Sequence, residues 1–147
     1  MRIPLLLVLV LFPLAAAAAQ PGLPADSARV SGDVYVPETL DSFAGLTLQL
    51  QLWEYDPRAD SPASLFDRLE LGPAEHTRGR DSASPFVLGE TAQGGKIRPG
   101  MRYYLTCFLI DGSRRTHIGE PEGERGICRV LTEGHPREVK LIIRPVP

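Results

Sequence analysis

The residues of this chain with chemistry to offer are two cysteines, three histidines, and small groups of carboxylates and serines. His76, His117 and His135 stand far apart, and none has a second histidine or cysteine at i+2 to i+5, the spacing from which metal sites are built. Glu120, Glu122 and Glu124 alternate along "GEPEGE", but a calcium loop needs more oxygen ligands in a defined turn. That segment reads as a solvated acidic loop. Asp56 and Asp60 lie on either side of Pro57 and read as turn residues that cap free backbone N–H groups. Ser82 and Ser84 sit in a polar stretch with no G-x-S-x-G elbow. Cys107, flanked by apolar residues in mid-strand, suits a structural cysteine rather than a low-pKa nucleophile. The expectation is a protein that is not an enzyme, with no catalytic residue, no cofactor and no metal.

The N-terminus explains where such a protein would work. Met1-Arg2 supplies one positive charge, Ile3 to Leu14 an uncharged apolar run, and Ala15 to Ala19 the small residues that signal peptidase needs. The apolar run is shorter than the ~20 residues of a spanning helix. A cleaved signal peptide over 1–19 is expected, then a flexible leader over 20–27 and a single domain over 28–147. The stretch "PLAAAAAQPG" has no cysteine at the cut, so the reading is an exported, unlipidated periplasmic protein. Loss of Arg2 takes the basic residues from 16 to 15 against 18 acids, which gives no basic surplus for nucleic acid or an anionic membrane. In an exported chain, two cysteines suggest one disulfide, Cys107–Cys128, closing a loop of about 20 residues and stabilising the fold by about 3 kcal/mol. A pair of buried free thiols is the alternative.

The elements that must position these residues are strands. Val30, Val34 and Val36 share one face of "ARVSGDVYV". The clearest strand is "LTLQLQLWEY", with Leu46, Leu48, Leu50 and Leu52 on one face and Thr47, Gln49, Gln51 and Trp53 on the other. Leu65, Leu69 and Leu71 suggest a third strand, and "GPAEHTRGRDSASP" a long polar loop before "PFVLGE". "RYYLTCFLIDG" is apolar on both faces and reads as a central strand, turning at Asp111-Gly112 into "RRTHIG". "ICRVL" and "REVKLIIRPV" complete the set. About seven short strands, 14 prolines and 14 glycines predict an all-β, antiparallel β-sandwich. Trp53 falls on the face opposite the leucines, either covered by other structure or exposed to grip a partner.

In their order along the chain, "VSGDVYV", "LTLQLQLWEYDPRADSP", "PFVLGE", "IRPGMRYYLTCFLIDG" and "VKLIIRPV" resemble the YscW/YbaY family, over about Val30 to Val146. The resemblance implies a transthyretin-like (prealbumin-like) sandwich acting as a pilotin, a chaperone that helps secretin subunits of type III secretion reach and assemble in the outer membrane. Its ExsB-type members are the branch to which this chain is most similar. It implies binding of a C-terminal secretin segment by a monomeric protein that reaches the outer membrane only through that partner. The residues expected to meet it are Trp53, Tyr55, Tyr104 and Phe108. The YbaY branch offers the alternative, a periplasmic structural or stress-related domain whose ligand is unidentified.

Overall fold

The computed structural model describes residues 22–147. The expected signal peptide, its cut after Ala19 and the head of the leader lie outside the described residues. Eight strands follow: β1 (Val30–Val36), β2 (Phe43–Tyr55), β3 (Ser64–His76), β4 (Ser82–Leu88), β5 (Arg102–Asp111), β6 (Arg114–Pro121), β7 (Cys128–Val130) and β8 (Glu138–Pro145). A single 3-10 turn, Ala92–Gly95, lies between β4 and β5. The strands form one hydrogen-bonded path, β3-β2-β5-β6-β8-β1-β4, with β7 added to β5. All pairings are antiparallel except that of β1 with β8. The result is an all-β, nearly closed, barrel-like sheet. Its two end strands, β3 and β4, form no ladder with each other, and the N–H of Gly89, just past β4, donates to Asp67 Oδ2 of β3 at 2.7 Å.

The alternation of the second strand does what its pattern dictates. Leu46, Leu48, Leu50 and Leu52 are 8%, 5%, 0% and 0% exposed. They pack with Val34, Leu105, Leu109, Leu141 and Ile143, which occupy inward positions on three other strands. The parallel contact of β1 with β8 depends on Gly32, because a Cβ there would lie 1.7 Å from the Val139 carbonyl oxygen.

Two segments differ from expectation. β3 does not stop at Gly72 but runs through Gly72-Pro73 to His76. Proline is tolerated there because β3 ends the sheet, so no neighbour needs its missing N–H. The tail of the expected leader is tied down as well. Arg137 donates to the carbonyls of Ser27 and Ala25, Lys96 pairs with Asp26 at 3.2 Å, and Ser27 bridges to Lys96.

The expected Cys107–Cys128 disulfide is not formed, and both cysteines are free and buried. Strand register supplies the reason. Cys128 pairs with Leu105, so Cys107 is its diagonal neighbour rather than its direct partner. Diagonal residues on adjacent strands are about 7–8 Å apart, beyond the Cα separation of about 4.4–6.8 Å that a disulfide spans. Burial pushes the Cys107 thiol up to about 12, with Cys128 adding to the rise, and the Cys128 thiol up to about 11. Both are held as inert thiols.

One inward position of β2 is not apolar. Glu54 continues the leucine row and is fully buried. It accepts hydrogen bonds from the Tyr103 hydroxyl and from both Arg98 nitrogens that reach it, Nε at 3.1 Å. The Tyr103 oxygen in turn accepts the Arg98 backbone N–H at 2.9 Å. Burial alone would raise the Glu54 pKa, but the hydrogen bonds from Arg98 and Tyr103, with the Arg98 charge, outweigh it and hold it below the usual value. Burial, and then the Glu54 hydrogen bond, push Tyr103 up to about 12.

Two measurements check this core. Leu50→Ala should destabilise the fold by about 2–5 kcal/mol in urea unfolding, as a fully buried leucine does; a loss below about 1 kcal/mol would contradict its place in the core. Glu54→Gln should cost about 2–3 kcal/mol at pH 7, the range for a buried hydrogen-bonded charge whose partner keeps access to water. A depressed carboxyl contributes stability above its unfolded pKa and loses it as pH falls through the folded one. The difference between wild type and Glu54→Gln should therefore shrink once pH drops below about 4.5. Equal gaps at pH 7 and pH 3 would refute the ionised pair.

Candidate partner-binding face

The same alternation that buries Glu54 turns its neighbours outward. Trp53 and Tyr55 on β2 share the outer face with Gln49 and Gln51. On β5 the outward set is Tyr104, Thr106, Phe108 and Ile110, all half-buried, between inward Tyr103, Leu105, Cys107 and Leu109. Register then fixes who meets whom. Trp53 stands directly opposite Tyr104, Gln51 opposite Thr106 and Gln49 opposite Phe108.

The four aromatic residues expected to meet a partner thus lie on one face. Trp53 and Tyr104 stack, with ring centroids 6.4 Å apart and planes 12° from parallel. Tyr55 is tilted against Tyr104 at 5.9 Å. Burial and the neighbouring Tyr55 raise the Tyr104 pKa, so its hydroxyl stays protonated. Phe108 lies four residues beyond Tyr104 along β5, under the Arg115 guanidinium at 4.0 Å. Trp53 is neither fully covered nor free. Its indole Nε1 donates to Thr106 Oγ1 at 3.0 Å, which holds the ring flat and leaves it half-buried. Such rigid aromatic surface loses little side-chain entropy on contact. Charge is interleaved with the rings: Arg115 covers Phe108, Arg129 of β7 stands opposite Tyr104, and Arg68 pairs with Glu70, which accepts from Gln49 at 2.9 Å.

The sequence did not disclose what lies beside these rings. β5 pairs with β7 as far as Leu105↔Cys128 and with β6 from Phe108↔Ile118 onward. Thr106 and Cys107 fall between the two ladders. A hollow of about 230 Å³ opens there, lined by Tyr104, Thr106, Phe108, Ile118 and Ile127. Ile127 is 64% exposed, a β-branched apolar side chain in water beside three other hydrophobic ones. Gly119 makes the floor possible, because a Cβ there would meet Cys107 Sγ at 2.6 Å. The only sequence signal was Ile127 itself, an apolar residue following the polar run "EPEGERG".

The residues first weighed for chemistry are placed elsewhere. Asp56 Oδ1 accepts the Arg58 backbone N–H at 2.9 Å, the turn role expected of it. Glu120 lies within β6, opposite Ile142 of β8, whereas Glu122 and Glu124 lie in the loop after β6, with Glu122 paired to Lys140 at 2.9 Å. His76 and His117, distant in sequence, both pack on Phe43, at centroid distances of 5.5 and 5.4 Å. Among the described residues, no three histidine, cysteine or acidic side chains gather as a metal site would require.

In comparisons with known proteins, no family model and no curated protein matches this sequence. A solved structure does: an alternative pilotin from the type II secretion system of Vibrio cholerae. It superposes with a TM-score of 0.56 at 17% identity, over 81% of this chain and 96% of that one. At that identity the likeness is one of fold, and this chain has a pilotin-like fold.

Proposed function

We propose that the protein is a pilotin-like binding module of the periplasm that takes up an apolar segment of a secretin and assists its assembly in the outer membrane. The observation that carries the reading is the convergence of Trp53, Tyr55, Tyr104 and Phe108 beside a hollow rimmed by exposed Ile127. Half-buried aromatics around an open apolar recess are what hot spots for protein contact look like. The pilotin-like fold and the family resemblance support the choice of a secretin as partner.

In this reading the protein works by contact and not by catalysis. Its C-terminal secretin segment would seat apolar anchors on the aromatic face, and Ile127 would be covered on binding. The sheet would act as a transthyretin-like sandwich, with β5 as the strand shared between layers because its partner changes from β7 to β6. The fold neighbour belongs to type II secretion and the sequence resemblance points to type III, so the secretin of each system is a separate arm of the test.

The experiment is titration of the protein, begun at Gln20, with peptides covering the C-terminal segments of type II and type III secretins, read by Trp53 fluorescence. One of the two classes should bind with little dependence on salt, since apolar burial carries the contact. Trp53→Ala and Tyr104→Ala should each weaken it by about tenfold to thirtyfold, read by anisotropy of labelled peptide. Failure of both classes to bind, together with unchanged secretin multimers in a deletion strain, would defeat the proposal.

A further inference from the structure

Where β6 leaves β5, β7 takes its lane, and the exchange opens a slot further round the sheet. β6 and β7 are both antiparallel to β5, and β8 is antiparallel to β6. β7 and β8 therefore run past each other as antiparallel neighbours, yet no ladder joins them. Their α-carbons lie almost everywhere more than 8 Å apart, against about 4.5–5.5 Å for paired strands. Two lanes of a sheet span about 9.5 Å, so the spacing is that of a sheet with one strand left out. A hollow of about 580 Å³ occupies it, with Cys128 and Arg129 on one side and Glu138, Val139 and Lys140 on the other.

Both sides of this slot present main chain without a partner. In extended backbone, successive residues point their N–H and C=O groups to opposite neighbours. On β8, the carbonyl of Arg137 accepts the Ser31 N–H at 2.9 Å, so Arg137, Val139 and Leu141 face β1. Glu138 and Lys140 face the other way, into the slot. On β5, the Leu109 carbonyl accepts the Thr116 hydroxyl of β6 at 3.1 Å, and steps of two carry that orientation to Leu105 and Tyr103. Their partners Cys128 and Val130 turn toward β5, and Arg129 between them turns toward β8. Two hydrogen bonds clamp the ends, Leu131 N–H to the Pro136 carbonyl at 3.1 Å and Glu122 N–H to the Lys140 carbonyl at 3.0 Å. Among the described residues, nothing between the clamps takes up the N–H and C=O of Arg129, those of Glu138, or the Lys140 N–H.

Side chains decide what fits between them. Cys128, Val130 and Val139 are buried, whereas Arg129, Glu138 and Lys140 are exposed. An added strand would set alternate residues on an apolar floor and the others among charges. Arg129 and Lys140 stand at the same level of the sheet. Continuing the β5–β6 register puts Leu105 opposite Pro121; Pro121 pairs with Leu141, and Leu105 pairs with Cys128. Among the described residues Arg129 enters no ion pair, and Lys140 holds only Glu122. An outward residue between these two cations is best a carboxylate. Its inward neighbours would rest on Cys128 and Val139, which suits small or β-branched apolar side chains.

We propose that the slot between β7 and β8 binds an extended segment of a partner polypeptide by strand insertion. About three residues enter, as many as β7 contains, in the order apolar–acidic–apolar, with the carboxylate between Arg129 and Lys140. The slot lies on the other side of Ile127 from the aromatic face and does not depend on the partner assigned to that face.

The probe is the peptide Ac-Thr-Val-Glu-Val-Thr-NH2, added to the protein begun at Gln20 and followed by amide NMR and hydrogen exchange. In the free protein the N–H groups of Arg129, Glu138 and Lys140 should exchange rapidly, and those of Val130 and Val139 slowly. Saturating peptide should slow the first three by about tenfold or more. The peptide N-methylated at both valines should not bind, because it cannot complete a ladder. Lysine in place of the glutamate should weaken binding by about fivefold to tenfold, and Arg129→Glu should reverse that preference. Lys140→Glu makes the same test should the first variant fail to fold. Slow exchange at Arg129 and Glu138 in the free protein, as a second copy or another part of the chain in the slot would give, would overturn the proposal. So would shifts confined to Trp53 and Tyr104, an absence of saturation, or equal binding of the lysine or N-methylated peptide.

Discussion

The register of the two central strands rests on a buried carboxylate. Glu54 and Tyr103 are direct partners across β2 and β5, and their hydrogen bond lies inside the sheet with Arg98 reaching in beside it. A slip of one residue would carry Glu54 outward and Trp53 inward, since side chains alternate at every step. An apolar pair at these positions would bind the strands as tightly but would tolerate that slip more readily. A buried ion pair adds little net stability once desolvation is counted, and its best-attested use is to specify one arrangement. The outward aromatic face is the other side of the same register: fixing Glu54 and Tyr103 inside fixes Trp53, Tyr55 and Tyr104 outside.

The same network reaches beyond the two strands. Arg98 belongs to the link between the 3-10 turn and β5, and the ends of that link are tied to the first described residues through Lys96, Asp26 and the Ile97 N–H bond to the Asp26 carbonyl. Arg137, just before β8, holds the carbonyls of Ala25 and Ser27 from the other side. Three segments without strand structure are thereby fastened at the base of the sheet. Rigid strands and fastened links leave the openings of the sheet as its adaptable places.

Much of this was legible in the residues, because period-2 alternation is a local signal. Leu46 to Leu52 announce a half-buried strand, and the two-faced apolar pattern of Tyr103 to Ile110 announces a central one, without knowledge of any partner. Glu54 escaped notice because a carboxylate at an inward position means burial only if a cation and a phenol arrive from residues 44 and 49 positions away. The cysteine pairing misled for a related reason. Spacing along the chain allows a bridge, whereas the offset of two residues between Cys107 and the register partner of Cys128 is a property of the assembled sheet. β3 ran past Gly72-Pro73 because an end strand forgives residues that an inner strand rejects.

What sequence patterns describe least well are interruptions, and the interruptions are where this sheet has recesses. An ideal ladder saturates every backbone group and packs every inward side chain, so it leaves a ligand little to do. Here β5 exchanges one neighbour for another, and Thr106 and Cys107 lie in the gap; β7 and β8 run past each other without a ladder. The first interruption exposes Ile127 beside a row of aromatics, and the second leaves main chain of Arg129 and Glu138 facing an open slot. Both are stable because the cost is local. The leucine row of β2 and the Glu54 register carry the fold, and the strands at its two breaks are free to present apolar surface and unpaired main chain to something other than the protein itself.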